Sequence, residues 1–384
     1  MSDRLPNTSS EPSPPVGKIL YIDHLKVLLT GLVVLHHACV TYGGPGSWYY
    51  SEKTLKTGVI IPVTMLVATN QAFFMGFFFF LSAIFIPASL TKKGTGVFIK
   101  DRLKRLGIPL LFYSFILSPV MNYLVYYFAG GHHITFFQFL SGYDSWVSFG
   151  VMWFVVALLL FTAVYILWKE VDNSKPVKIK SPSVSAILIF AGGLGLLSFF
   201  VRIVFPVGWV LNPFGFQLGH FPQYIALFFW GIVCYNSNWL NEIDSRFKKS
   251  GRIKFFLIVF GFPVIFAIRV LFDAPVAWYS GGAHFQSLVY ALWEQLTGFT
   301  IITWLLYIGK NNWNKPSPFL AKLARCAFAV YIFHPFVLIC LSLLLKDWPV
   351  DPALKLLFVA PFGILFSFLL GHLIIQIPGV KKFL

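Results

Sequence analysis

The chain has 384 residues, of which 57% are hydrophobic and only 11% are charged. A soluble fold needs a charged exterior, so this composition excludes soluble enzymes, disordered scaffolds and secreted disulfide modules, and it predicts an integral membrane protein. The formal net charge of +16 comes from 30 Lys and Arg against 14 Asp and Glu. That excess has to be tested first against the known preference of basic residues for cytoplasmic loops.

The chain is predicted to be all-α, because its apolar runs are continuous rather than alternating. Residues 1–17 are polar and rich in Ser and Pro, which predicts a disordered cytosolic tail, and residues 18–384 are predicted to form a single transmembrane domain. A membrane-crossing helix needs roughly 20 apolar residues. Ten segments qualify, near 25–43, 60–90, 106–128, 149–168, 183–205, 219–237, 254–273, 285–308, 323–345 and 353–377. The second is expected to be kinked or broken, because Pro62 and Gly76 interrupt it.

The basic residues divide unequally between the two sides of a ten-helix arrangement. If the helices alternate, 24 of the 30 Lys and Arg fall on the side of the N-terminus, and the loops on the other side hold three. This division predicts that both termini are cytosolic. It also accounts for most of the net charge, so no nucleic-acid partner is expected. The outer loops are rich in Trp, Tyr and His, which fits either an interfacial aromatic belt or surfaces for stacking sugar rings.

Ionisable side chains inside a membrane span are costly and are therefore candidates for function. The predicted spans contain His36, His37, Arg202, Arg269, Glu294, His334 and His372. Glu294 is a candidate catalytic residue, and either arginine is a possible partner for it. No CxxC pair and no His spacing typical of a metal site is present, and no metal is expected.

The first predicted helix aligns a cation with an imidazole. Lys26 and His37 are eleven positions apart, so they lie on nearly one face of a helix, about 16 Å apart along its axis. The alternatives are a snorkelling lysine and a histidine bonded to a neighbouring helix. His36 points about 100° away from His37 and is the weaker candidate.

Two further features point to a site. Arg102 and Arg105 lie one turn apart at the entry to the third helix, in a basic cluster suited either to anionic lipid or to the phosphates of a nucleotide-bearing donor. His334 precedes Pro335, which is expected to distort the helix locally and open a polar site. A histidine that only bonds to the freed carbonyl is the alternative.

These features together resemble the acyltransferase-3 family of membrane O-acyltransferases. Its first helix typically carries an Arg, ten intervening residues and a His, and here Lys26 and His37 hold those positions. Residues 77–86, 98–109, Trp153-Phe154 and the Tyr-x-x-His-Pro segment at 331–335 resemble its later motifs. The His-Pro-Phe segment and residues 221–225 resemble the branch that contains the periplasmic-glucan succinyltransferase, glucan biosynthesis protein C.

The resemblance implies transfer of an acyl group, acetyl or succinyl, from a cytosolic acyl-CoA to a hydroxyl of an extracytoplasmic carbohydrate or glycolipid. A neutral buried His37 can take a proton from that hydroxyl, with His334 as a second candidate. Lys26, Arg102 and Arg105 would hold acyl-CoA, which binds as a substrate and not as a permanent cofactor. The location implied is a bacterial inner membrane, crossed many times. The oligomeric state stays open.

A transporter of a small polar or anionic solute is the main alternative. Ten helices with intramembrane Arg, Glu and His suit a substrate or proton path. The chain shows no paired internal repeats, which counts against a transporter. A non-catalytic membrane partner that kept the fold is the third hypothesis.

Overall fold

The computed structural model describes residues 19–383 except 173, 175 and 177. The tail predicted at 1–17 lies outside the described residues. The described residues form helices joined by loops, with one isolated bridge between Leu211 and Phe216 and no strand. The all-α architecture predicted from the sequence is confirmed.

All ten predicted segments are helical. We number them α1 Leu20–Tyr42, α2 Thr57–Lys93, α3 Thr95–Phe128, α4 Gly150–Val171, α5 Val184–Val204, α6 Phe221–Asn236, α7 Ser245–Leu271, α8 Phe285–Asn312, α9 Pro318–Leu344 and α10 Pro352–Ile374. Eight of them are long and apolar enough to cross a membrane. The exceptions are α6, which has 16 residues, and α8, in which Glu294, Gln295 and several threonines lower the mean hydropathy. The chain is a polytopic membrane protein, and the cytosolic position of its termini stays a prediction.

Helix α2 is interrupted, as predicted, but not at Pro62 or Gly76. Its helical segments are Thr57–Gln71, Phe74–Ala83 and Ile86–Lys93. At the first interruption the carbonyl of Ala72 accepts a 2.8 Å hydrogen bond from the side chain of Gln223, which replaces a backbone donor. The second interruption precedes Pro87, which has no backbone N–H to offer. Gly76 instead allows α6 to pack closely, because a Cβ there would lie 2.5 Å from Leu227.

Three π-helical turns have a common cause. They span Leu103–Gly107, Tyr113–Leu117 and Leu257–Gly261, and each ends two residues before a proline. Proline removes a hydrogen-bond donor and its ring crowds the preceding turn, so the backbone widens there. In α3 the first of these turns carries Arg105.

Helix α1 lies at the centre of the bundle. It packs against α9 and α10 on one side and against α2 and α8 on the other. Its residues Leu25 and Leu29 are fully buried in a core that also contains Phe77, Phe79 and Phe228. This packing fixes the position of any side chain that α1 directs into the bundle, including the two adjacent histidines.

Candidate functional site

Two of the histidines singled out in the sequence meet inside the bundle. His37 of α1 and His334 of α9 have ring centroids 5.3 Å apart and planes 22° apart. The indole of Trp48 stacks on His37 at 3.8 Å and lies 6.1 Å from His334. The three rings therefore form one compact cluster, the histidine–tryptophan site, and His37 is the half-buried member while His334 is completely buried.

Pro335 explains the orientation of His334. A proline in a helix cannot donate to the carbonyl four residues earlier, which here belongs to Tyr331. His334 Nδ1 lies 2.8 Å from that carbonyl oxygen and takes the place of the missing donor. The proton is thereby fixed on Nδ1, and the lone pair stays on Nε2. The expected distortion and the expected bond to a freed carbonyl are both present, and they leave an imidazole nitrogen able to accept a proton.

Several polar atoms of the site are buried without a partner. Within the described part of the chain, His37 Nδ1, His334 Nε2 and Trp48 Nε1 make no hydrogen bond, and neither does Nδ1 of the adjacent His36. Buried polar atoms are nearly always paired, so a group of this kind indicates a place where a ligand supplies the missing partners. The indole nitrogen can only donate, whereas His334 Nε2 can accept.

The loop of residues 43–56, which carries Trp48, is held in place by side-chain contacts with other helices. Glu52 forms a 2.6 Å ion pair with Lys355 of α10, whose side chain is only 1% exposed. The hydroxyl of Tyr49 lies 2.7 Å from that of Tyr113 in α3. These contacts hold the Trp48 indole against His37 by joining the loop to two different helices.

Asp351 provides another attachment at the start of α10. Its carboxylate accepts hydrogen bonds from the Ala353 backbone N–H and from Thr54, and Lys56 lies 3.3 Å away. The backbone hydrogen bond, followed by the contacts with Thr54 and Lys56, lowers the pKa of Asp351 below its usual range. The carboxylate therefore stays ionised and keeps the end of the loop attached.

Gly150, at the start of α4, packs closely against the hydroxyl groups of Tyr49 and Tyr113. It has a φ of +45°, which only glycine adopts readily. A Cβ at this position would lie 2.5 Å from the hydroxyl oxygen of Tyr49 and 2.6 Å from that of Tyr113. The next residue, Val151, offers its backbone carbonyl to the Tyr331 hydroxyl. The beginning of α4 thus connects the loop to the His334 segment.

The predicted donor-binding residues belong to the first turns of α1 and the first part of α3, and Lys26 is at the opposite end of α1 from His37. Lys26 is 3.6 Å from Asp23 and places its ammonium 5.0 Å from the ring of Phe85, near the end of α2. Arg102 follows shortly afterwards, at the start of α3, and donates to Thr162 at 3.4 Å. Arg105 is exposed. The half-buried Arg102 and the exposed Arg105 thus face different surroundings, although both belong to one basic end.

Glu294 lies in a separate buried cluster. Its carboxylate pairs with Arg202, and its Oε1 is 3.0 Å from His220 Nδ1. Arg202 also donates to the carbonyl of Gly219 at 3.0 Å. Among the described residues, no contact of Glu294 involves the histidine–tryptophan site, so the structure does not bring it together with His37. The sequence left open whether Arg202 or Arg269 pairs with Glu294. Arg202 is the partner, and Arg269 is exposed.

The sequence analysis missed Trp48 as an individual site residue, because a tryptophan after a transmembrane helix is usually interfacial. It also missed the pairing of Glu52 with Lys355. A signal for the latter was present, since Lys355 stands at the edge of a predicted span, where an unpaired ammonium is costly. Its partner lies 303 positions earlier, and no local pattern links the two.

These features define a multi-pass membrane protein whose helices enclose a histidine-based site between a basic end and an aromatic end. Residues 19–372 match the family model described as an acyltransferase domain, of the acyltransferase-3 type. The chain belongs to this family, as the motifs indicated, and it is a membrane acyltransferase. Neither curated protein sequences nor solved structures gave a match. The resemblance to the glucan succinyltransferase branch stays a prediction.

Proposed function

We propose that this protein is a membrane O-acyltransferase that moves an acetyl or succinyl group from cytosolic acyl-CoA to a hydroxyl of an extracytoplasmic carbohydrate or glycolipid. The bacterial inner membrane is its proposed location. The observation that supports the proposal is the histidine–tryptophan site, where buried ring nitrogens of His37 and His334 and the Trp48 indole N–H are unpaired within the described chain and the indole stacks on His37. Acyl transfer to a hydroxyl requires a proton acceptor and a hydrogen-bond donor.

His37 is the proposed general base. It is half-buried, whereas His334, whose ring lies 5.3 Å away, is completely buried, so His37 is the more accessible of the two. The acceptor hydroxyl attacks the thioester carbonyl as His37 takes its proton. A C–O bond forms, the C–S bond breaks, and the proton passes to the departing thiolate of coenzyme A. No covalent enzyme intermediate is required.

Trp48 is the proposed donor to the carbonyl oxygen. Negative charge develops on that oxygen during attack, and a fixed N–H directed at it lowers the barrier. The indole nitrogen is buried without an acceptor in the described chain, and the loop contacts described above fix the ring. An oxygen that arrives with the substrate would satisfy this nitrogen most fully in the transition state.

The basic end is the proposed binding site for the phosphates of acyl-CoA. Lys26 lies on the same helix as His37, about 16 Å away along the axis. An extended pantetheine arm spans a gap of this kind, so the phosphates can rest near Lys26, Arg102 and Arg105 while the thioester reaches His37. Guanidinium groups suit such phosphates because they donate two hydrogen bonds in a fixed plane.

The test is acyl transfer by the purified protein in lipid nanodiscs. Acetyl-CoA or succinyl-CoA is supplied with neutral oligosaccharides, and products are identified by the mass increment of the acyl group. An ester formed only with active protein and removed by mild alkali supports the proposal. Release of coenzyme A without any acylated saccharide, across glucose, N-acetylglucosamine and rhamnose oligomers, contradicts the proposed acceptor class.

A further inference from the structure

A groove with polar and aromatic lining residues opens beside the second half of α3, at the end of the bundle opposite the basic cluster. It lies between this part of α3 and the short helix Phe136–Ser141, and its volume is about 560 Å³. Five lining residues matter for its chemistry, namely Asn122, Tyr126, Gln138, Tyr143 and Asp144. None of the roles discussed above uses this groove.

The groove has the chemistry of a site for a neutral polyol. Tyr126 and Tyr143 provide aromatic walls, and Gln138 and Asp144 provide exposed polar groups. Gln138 uses its amide oxygen to cap the short helix through Thr135, and its amide nitrogen has no acceptor in the described part of the chain. The lining contains no Lys or Arg, and without these cations it suits neither a phosphate nor a carboxylate.

Asn122 makes the inner wall rigid. Its side-chain nitrogen donates to the carbonyl of Ser118 at 2.9 Å and to the hydroxyl of Tyr143 at 3.3 Å. The second bond joins α3 to the segment that follows the short helix. In the described chain the amide oxygen of Asn122 accepts no hydrogen bond, so an acceptor oxygen of fixed direction is available to a ligand hydroxyl.

The groove lies on the face of α3 that leads toward the histidine–tryptophan site, and its lining ends at Asn122. Ser118, Asn122 and Tyr126 are spaced four apart, so they follow one face of α3 for about 12 Å. Ser118, at the inner end of this row, is fully buried, and the ring of Tyr49 contacts that of Trp48 at 5.3 Å. Packed side chains, and not an open path, separate the groove from His37 in this structure.

We propose that this groove is an acceptor subsite and binds a neutral oligosaccharide. The role of the groove as an acceptor subsite rests on the proposed function, whereas its capacity to bind a saccharide does not. Aromatic walls beside amide and carboxylate groups favour a saccharide, because sugars present apolar faces and hydroxyl edges at the same time.

Photo-crosslinking tests the location without requiring turnover. Diazirine-tagged oligomers of glucose, N-acetylglucosamine and rhamnose, and a uronic acid oligomer as the anionic comparator, are irradiated with the protein in nanodiscs. We expect labelling within residues 122–146 by at least one neutral oligomer, suppressed by its untagged form, and weaker labelling by the uronic acid. Labelling confined to other peptides, absence of competed labelling, or preference for the uronic acid overturns the proposal.

Kinetics provide the matched comparison of Tyr126→Ala with Tyr127→Ala. Tyr127 is the next residue of α3, contacts Phe128 and His133, and does not line the groove. Tyr126→Ala and the isosteric Asp144→Asn should each raise KM for the saccharide about tenfold. Neither should change KM for acyl-CoA, and Tyr127→Ala should change neither constant.

The two proposals fail in different ways. Competed labelling in the groove without acyl transfer by the wild-type protein overturns the proposed function and keeps the groove as a saccharide site. Acyl transfer in which Tyr126→Ala and Asp144→Asn leave the saccharide KM unchanged overturns the groove and keeps the function. An equal rise for Tyr126→Ala and Tyr127→Ala indicates a general loss of structure and also counts against the groove.

Discussion

Replacement of His37 by alanine is the most direct test of the proposed chemistry. A general base contributes about 10²–10⁴-fold to a rate, or roughly 3–5 kcal/mol of barrier. His37→Ala should therefore lower turnover by about that factor. We expect His334 not to replace it, because His334 is fully buried whereas His37 is half-buried.

The structure offers His36→Ala as the matched control. The His37→Ala variant loses a stacking contact with Trp48. The His36→Ala variant loses a stacking contact with Phe74, whose ring centroid lies 4.9 Å from that of His36. Aromatic contacts of this type stabilise a fold by about 0.5–1.5 kcal/mol. The two variants should thus lose similar thermal stability. An effect that acts only through stability predicts equal losses of activity, whereas a base at His37 predicts a loss confined to that variant.

The assay combines release of coenzyme A, acylated product and thermal unfolding, all measured on the same nanodisc preparations. We expect His36→Ala to keep turnover within about tenfold of wild type, below the contribution of a general base. If His37→Ala keeps most of its turnover while His36→Ala abolishes it, the assignment of the two faces of α1 is wrong. If neither variant changes turnover, the mechanism itself is wrong.

Three other predictions follow from the basic end, the loop and the topology. Arg102→Ala combined with Arg105→Ala should weaken acyl-CoA binding at least about tenfold in calorimetry, since each contact to phosphate contributes about 1.5–3 kcal/mol, and unchanged affinity would assign both residues to lipid anchoring. Trp48→Phe keeps a stacked ring but deletes the N–H, so kcat should fall about 10²–10³-fold with KM for acyl-CoA retained; a normal kcat would remove Trp48 from the mechanism. Cysteines introduced at Ser145 and Ser174 should be labelled from the extracytoplasmic and cytosolic sides respectively, and labelling of both from one side would exclude the ten-helix topology.

Local patterns were sufficient to predict much of the fold. Continuous apolar runs located all ten helices, because the length of a membrane helix is set by the bilayer. The same reasoning failed for the interruption of α2 at Ala72. There the side chain of Gln223, 151 positions later in the chain, donates a hydrogen bond to the Ala72 carbonyl. No local sequence pattern predicts that a side chain so far away takes the place of a backbone donor.

The candidate site was predictable in part for the same reason. Lys26 and His37 lie on one helix, so their alignment follows from helical geometry alone. The approach of His334 to His37 depends on how α9 packs against α1, which is a tertiary property. The position of Trp48 depends on a loop fastened by Lys355 and Tyr113, and a sequence pattern carries no information about such distant contacts.

The catalytic role predicted for Glu294 stays a prediction, and its contacts suggest a different one. An intramembrane carboxylate is a good candidate for function, yet this one is 1% exposed and paired with Arg202 and His220. Because these contacts lie apart from His37, we expect Glu294 to stabilise the fold.

The double variant Arg202→Met with Glu294→Leu tests this structural role. Removal of one partner leaves an uncompensated buried charge and typically costs about 3–5 kcal/mol, whereas replacement of both by apolar side chains is often close to neutral. Glu294→Leu alone should therefore unfold well below the wild-type temperature in nanodiscs, and adding Arg202→Met should recover most of the loss. Turnover per folded molecule should follow the same order, because the histidine–tryptophan site is untouched. A double variant as stable as wild type but without turnover would make Glu294 or Arg202 part of the chemistry after all.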